Sequence, residues 1–274
     1  MNILTIAEPS GFSQNWDGAI CMADEFEGIG SHRDIVICAP EIPGSDLPTR
    51  VLDAAGDTPV IMGTYKGMYC HDKRIAATVV HCDMSHDERV VNPHSIPLAL
   101  DQPDHPTHST PQHVFIGGRK DRDFRLADEA CVRNKIRGVY ISDKLSPTWE
   151  YYSAMTIRDK VPLRDYTRTI SCSKVCIVPL QPGLHPHGHS DVVRAILAGK
   201  PVLTTRGASC DKYIQHKETG YLADPTPESY ADGLEFILDN YRYMCQNVKG
   251  HRSRYTYTSY NRSLRALCEK VVGA

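Results

Sequence analysis

The sequence has no apolar run longer than a strand needs, which excludes a helix able to cross a membrane. Its start, MNILTIAEP, lacks the basic stretch and long apolar core of a secretory leader. A cytoplasmic protein is therefore expected, in the host cytoplasm if the source is viral. The ten cysteines form no C-x-x-C pair, so a disulfide framework is not indicated, and most are expected to be reduced, buried, small apolar residues. There is no G-x-S-x-G, no Walker A loop and no G-x-G-x-x-G after a strand, which argues against hydrolase, ATPase and dehydrogenase chemistry. Internal repeats and low-complexity stretches are also missing. With 41% apolar and 23% charged residues, the composition is that of an ordinary globular protein.

A chain of 274 residues has the length of two compact domains. The net charge of −2 conceals a gradient: residues 1–101 carry 6 Lys/Arg against 15 Asp/Glu, 102–240 carry 18 against 17, and 241–274 carry 7 against 1. In the basic end, Arg252, Arg254, Arg262 and Arg265 interleave with Tyr255, Tyr257 and Tyr260. Such a segment can meet phosphates and stack on bases, or it can be the basic polar face of a helix.

Ile3, Leu4 and Ile6 make residues 2–7 a buried strand, followed by a polar loop, a helix over 18–26, a stop at Gly28 and Gly30, and a strand over 34–38. This is a β-α-β opening. Further strands are predicted over 59–62 and 75–80. The stretch 102–111, with three prolines and no large apolar residue, cannot join a packed core and divides the chain. Strand and helix then alternate again: strand 113–116 ending in Gly117 and Gly118, helix 125–132, strand 138–141, helix 166–171, strand 175–179, helix 191–198 and strand 201–204. In helix 191–198, Val192 pairs with Ile196 and Val193 with Leu197, with Ser190 as the cap and Gly199 as the stop. Thr226 and Pro227 open a helix striped by Tyr230, Leu234 and Leu238. The last helix starts at Thr258 or Ser259 and buries Leu264, Leu267 and Val271. The expected organisation is a first domain over 1–101, a linker over 102–111, a second domain over 112–250, and a C-terminal helix within 251–274 that packs back on the first domain.

Residues 175–222 are the most informative. A strand ends at Pro179, a Gly/His-rich loop follows, and the helix beginning at Ser190 turns its amide groups back toward that loop, an arrangement that binds phosphate. The next strand runs into the loop Gly207 to Asp211 at the same carboxyl edge, where ligands of open α/β sheets sit. The succession of helix, AGKPV, strand, small polar loop and TGYL resembles the donor-binding half of glycosyltransferases with the two-domain GT-B fold, especially the large retaining group called family 4. SIPLALD, ending at Asp101, resembles that family's I-P-N-G-V-D run. FIGGR, from Phe115 to Arg119, resembles its F-V-G-R segment, and VVH, ending at His81, its strand-end histidine. The resemblance implies an α/β protein of GT-B fold, two Rossmann-like domains facing across a cleft, in a divergent, viral or phage-like branch.

By the same resemblance, Gly118, Arg119 and Lys120 lie against the donor diphosphate, where two cations offset the charge on the leaving nucleotide. Arg122 is the alternative to Lys120. His187, Gly188, His189, Ser190 and Asp191 complete the donor site, the histidines toward phosphate or sugar and Asp191 toward the ribose hydroxyls. The family's two glutamates for sugar and ribose fall on Pro186 and Arg194 when AGKPV is aligned, so neither carboxylate is present. Asp17, in the loop after the first strand, suits the general base of an inverting reaction, and His81 is the second catalytic candidate. A retaining reaction lets the leaving phosphate take the proton. No cofactor is implied beyond a nucleotide-sugar co-substrate, expected to be a UDP-sugar. No metal is expected: His185, His187 and His189 lack a completing cysteine or carboxylate set, and the D-x-D of Asp121 and Asp123 is coincidental after a Gly-Gly turn.

The first domain is small, which suits an open cleft and a large acceptor. A hydroxymethylated pyrimidine of phage DNA, turned out of the duplex, is one such acceptor, with Arg252 and Arg254 as contacts. The acidic first domain opposes duplex binding. The alternatives are a saccharide or small-molecule acceptor, a non-catalytic nucleotide-sugar-binding protein, and a GT-B epimerase. No membrane association and no obligate protein partner is expected.

Overall fold

A computed structural model describes residues 3–7, 19–22, 35–39, 47–63, 72–80, 90–100, 113–118, 122–142, 155–159, 161–182, 187–207 and 210–273. Asp17, His81, Arg119, Lys120 and the linker 102–111 lie outside them. The chain divides into two compact units, Met1–Pro97 with Tyr257–Ala274, and Leu98–Thr256.

Among the described residues, the first unit holds six parallel strands, β1 (Ile3–Ala7), β2 (Ala19–Met22), β3 (Ile35–Ala39), β4 (Val60–Gly63), β5 (Ile75–Val80) and β6 (Pro93–Ser95), in the order β2-β1-β3-β4-β5-β6. Helix α1 (Leu47–Ala55) buries Leu47, Val51, Leu52 and Ala55, a stripe of helical period, in one core with Cys38, Val60, Met62 and Ile75. The helix expected over 18–26 is contradicted at Ala19–Met22, which pairs with β1 from Leu4 to Ala7. Four consecutive apolar residues carry no period of their own, and pairing with a neighbouring apolar strand decides their form. The C-terminal helix, Tyr257–Val272, belongs to this unit and buries Tyr260, Leu264, Leu267 and Cys268. Val271, expected in its core, is only half-buried.

The second unit contains β7 (His113–Ile116), α2 (Phe124–Arg133), β8 (Arg137–Ser142), β9 (Met155–Asp159), α3 (Leu163–Ser171), β10 (Cys176–Val178), α4 (His189–Leu197), β11 (Val202–Thr205), β12 (Gly220–Ala223), α5 (Pro227–Asp239) and α6 (Tyr241–His251). Its sheet runs β12-β11-β10-β7-β8-β9, parallel throughout. Alternate residues serve two cores. Val114, Ile116, Tyr140, Ile177 and Leu203 pack with α2 and α5, while Phe115, Ile141, Cys176, Val178 and Val202 pack with α3 and α4. Burial on both faces is what makes the central strands read as continuous apolar runs. The edge strands β9, which ends in Arg158 and Asp159, and β12, which opens on Gly220, are not among the strands expected from the sequence. Thr226 caps α5 as expected, its hydroxyl accepting the Ser229 N–H at 3.2 Å. The cysteines whose side chains are described are all unbridged. Cys38, Cys131, Cys176, Cys210 and Cys268 are buried, and Cys172 and Cys245 half-buried.

Gly220, the glycine of TGYL, has a structural role. A Cβ there would run into the Val202 carbonyl oxygen and lie 3.0 Å from Ile214 Cγ2. The close approach of β11 and β12 therefore requires glycine. Gly220→Ala is expected to cost roughly 1–3 kcal/mol, the usual range for an overpacked site, and calorimetric melting would register this as a drop of several degrees. An unmoved transition would show that β12 pairs otherwise.

Candidate functional site

From β7 the chain proceeds outward to β8 and β9, then returns to β10 on the other side of β7. The order therefore reverses between β7 and β10. At such a switch point the loops diverge and leave a crevice at the carboxyl ends of the strands. Two glycine turns meet there.

The first is Gly117-Gly118, directly after β7. Gly118 has φ +104, and a Cβ on it would run into the Arg122 guanidinium. Arg122 is folded beneath the turn: its Nε–H donates to the Gly117 carbonyl at 3.0 Å, and its Nη2 faces Asp191 Oδ2 at 3.4 Å. The Tyr140 hydroxyl donates to the Gly118 carbonyl at 2.7 Å. Both carbonyls of the turn are thus held by buried side chains. Just beyond, the Asp123 N–H donates to the Pro179 carbonyl at 2.8 Å, which ties this segment to the end of β10.

The second turn is Gly188, which caps α4 with φ +89 and ψ −17. A Cβ there would lie 3.1 Å from Leu180, 3.2 Å from Val178 and 3.3 Å from the Cys210 sulfur. Ser190, the expected cap, is instead the second residue of the helix. A left-handed glycine lets the chain enter the helix earlier, and its carbonyl already accepts the Asp191 and Val192 N–H groups, each at 3.1 Å. The amide end of α4, with its partial positive charge, is thereby set at the carboxyl edge of the sheet. His187 and Ser190 are half-buried there. His189 is 6% exposed, its ring 5.4 Å from that of Tyr213.

Asp191 joins the two turns. Its Oδ1 accepts from the Tyr166 hydroxyl at 2.6 Å and its Oδ2 faces Arg122. A Cβ on Gly117 would lie 3.1 Å from its side chain. Burial, then the Asp191 charge and hydrogen bond, push the Tyr166 phenol well above its ordinary range. Asp191 is 5% exposed, with one oxygen toward Tyr166 and the other toward Arg122. The Arg122 side chain, 3% exposed, lies under the turn. Arg194, at the place of the second family glutamate, lies with its guanidinium 5.9 Å from the Tyr166 ring centroid.

The floor of the crevice is knitted by hydroxyls. Thr204 donates to the Val178 carbonyl at 2.8 Å, and Thr205 bonds the Leu180 carbonyl and the Tyr230 hydroxyl, the latter at 2.6 Å. Burial pushes the Cys210 thiol up to about 12. At the rim, the Gly207 N–H donates to Asp211 Oδ2 at 3.0 Å. Tyr140, Tyr166, Thr205 and Tyr230 were not foreseen as parts of the site. Thr205, like Thr204, ends an apolar run, whereas Tyr166 and Tyr230 lie in the first turns of helices and carry no such signal.

Asp123 accepts the Arg125 N–H at 3.2 Å and caps α2, which accounts for the second acid of the D-x-D. Among the described residues no group of three or more His, Cys, Asp or Glu is placed to hold a metal, and no helix is long and apolar enough to cross a membrane. Arg252 lies away from the glycine turns. It is half-buried over Gly199 at the other end of α4, about 14 Å away by helical rise. Arg254 is exposed in the short 3-10 turn Arg252–Tyr255. The structure thus gathers Gly118, His187, Gly188, His189, Ser190 and Asp191 at one edge of the sheet, with Arg252 at the far end of α4.

No protein-family model matches the chain, and no curated protein sequence does. Solved structures match it at low identity. Alr3699/HepE of Anabaena, in complex with UDP, superposes with a TM-score of 0.69 at 11% identity, covering 98% of this chain and 100% of that one. A glycosyltransferase from Rickettsia africae ESF-5 gives 0.70 at 10% identity, covering 99% and 98%. The pneumococcal O-GlcNAc transferase GtfA, in complex with UDP and GlcNAc, gives 0.65 at 10% identity over 87% of this chain, which spans 57% of GtfA. The chain has the two-domain, Rossmann-like GT-B fold of these proteins.

Proposed function

We propose that the chain is a glycosyltransferase that uses a nucleotide-diphosphate sugar, with a UDP-sugar as its co-substrate. The observation that carries this reading is the meeting of the Gly117-Gly118 turn and the Gly188 start of α4 at the switch point of the second sheet. The diphosphate rests against the amide end of α4, where oriented N–H groups and the helix dipole favour an anion. Glycine at both turns lets the backbone approach it closely. Alr3699/HepE was solved with UDP and GtfA with UDP and GlcNAc, ligands of this class. Arg119 and Lys120 follow Gly118 directly and are assigned to offset charge on the leaving nucleotide.

Asp191 and Arg122 keep the two turns in register without touching the donor. In an inverting reaction Asp17 or His81 takes the acceptor proton; in a retaining one the leaving phosphate takes it. The acceptor is assigned only as a hydroxyl. A modified DNA base gains nothing from Arg252, which lies at the far end of α4. A second reading, donor binding without transfer, is favoured by Pro186 and Arg194 where the resemblance calls for carboxylates.

The test is incubation with UDP-, GDP- and TDP-sugars, read by mass spectrometry with and without acceptors. Slow hydrolysis or transfer from one donor is expected. An epimerised sugar would make the protein an epimerase, and binding without turnover would favour the second reading. No binding to any donor would overturn both.

A further inference from the structure

A cluster of cations lies at the amino edge of the second sheet, at the opposite end of α4 from the glycine turns. Lys200, between α4 and β11, is 3% exposed. Arg252, which follows α6, lays its guanidinium on Gly199: a Cβ there would run into Nη2 and lie 3.1 Å from Cζ. Lys249 of α6 brings its Cγ to 3.3 Å from the same point. Lys200 after α4, and Lys249 and Arg252 from α6 and its C-terminal cap, thus lie around Gly199. Among the described residues none of the three forms an ion pair. Arg252 Nε is buried without a hydrogen-bond partner.

The neighbouring groups do not supply the missing negative charge. They are Cys172, Cys245 and Tyr241, and burial raises both the Cys245 thiol and the Tyr241 phenol, so these two are neutral at ordinary pH. Burial also lowers the pKa values of Lys200 and Arg252. A cation at the carboxyl end of α4 is favoured by the helix dipole, which accounts for Arg252 alone. It does not account for a second cation beside it on a residue only 3% exposed, since like charges crowded together and partly withdrawn from water are costly without a counter-ion.

We propose that Lys200, Lys249 and Arg252 form a binding site for a phosphate-class oxyanion, separate from the donor site. The Arg252 fork can take two oxygens of such an anion, while the lysines act as point charges from the floor and the rim. The proposal does not rest on the glycosyltransferase reading.

Thermal melting of the full chain in inorganic phosphate, against chloride at matched ionic strength, tests it. Phosphate is expected to raise the wild-type melting temperature by about 3 °C. Arg252→Gln and Lys249→Gln are each expected to lose that shift while keeping the shift caused by UDP. If Arg252→Gln does not fold, the exposed Lys249 position carries the test. Lys200→Met is expected to melt higher than wild type in phosphate-free buffer and to ignore phosphate. An absent wild-type shift overturns the proposal. So does a shift that persists undiminished in the Gln variants, which would place the phosphate at the start of α4.

Discussion

Asp191→Asn is expected to destabilise the protein by about 3–5 kcal/mol, the usual cost of leaving a buried charge without its partner. Asparagine keeps the shape of the side chain and can still accept from the Tyr166 hydroxyl. What it removes is the negative charge facing Arg122, whose side chain is 3% exposed. The guanidinium cannot swing into water without releasing the Gly117 carbonyl, to which it donates at 3.0 Å. Thermal melting should fall by roughly 10 °C. Arg122→Met in the same chain should recover much of that loss, because the unpaired cation is then gone. A double-mutant cycle in urea would give the coupling directly. Independent, additive losses would mean that Arg122 and Asp191 do not act as a pair. Tyr166→Phe is the milder companion, expected to cost roughly 1.5–3 kcal/mol for one hydrogen bond to a charged acceptor.

That pair also marks the limit of what the sequence could disclose. Strands β5, β7 and β10 were legible because burial on both faces makes IAATVV, HVFI and CIV nearly continuous apolar runs. Ala19–Met22 is a run of the same kind, but Ala23 and Glu25, which follow it, favour a helix. Pairing with β1 overrides that local preference, and pairing between distant segments is not visible in a window of residues. The glycine turns were legible for a related reason: Gly-Gly directly after a strand, and a Gly before a helix, can only be backbone features. Asp191 was legible as a carboxylate at a helix start, where it can serve a ligand or the protein. Its two partners within the protein lie 25 and 69 residues away in the chain, beyond the reach of a local reading. The burial of Arg252 is a similar case. Spacing marks it as one cation of a basic tail, whereas Gly199, far earlier in the chain, supplies the surface it covers.

Gly188→Ala should lower donor turnover about 100-fold, the scale of loss when a reacting group is misplaced by about 1 Å, with a parallel loss of UDP affinity. Alanine fails there on two counts. At φ +89 an L-residue is strained, by roughly 1–3 kcal/mol. Its Cβ would also press on Leu180, Val178 and Cys210, which are 2%, 0% and 0% exposed and have no room to retreat. The start of α4 must therefore shift, and with it the amide end that holds the diphosphate. Gly56→Ala separates strain from site: Gly56 has φ +57 with nothing within 4 Å of its Cβ position. That variant should lose about 1–2 kcal/mol of stability from left-handed backbone alone and bind UDP as wild type does. Calorimetric titration with UDP on both variants gives the comparison. A Gly188→Ala protein with unchanged UDP affinity would take the donor phosphates away from α4, and the proposed function would fail with them.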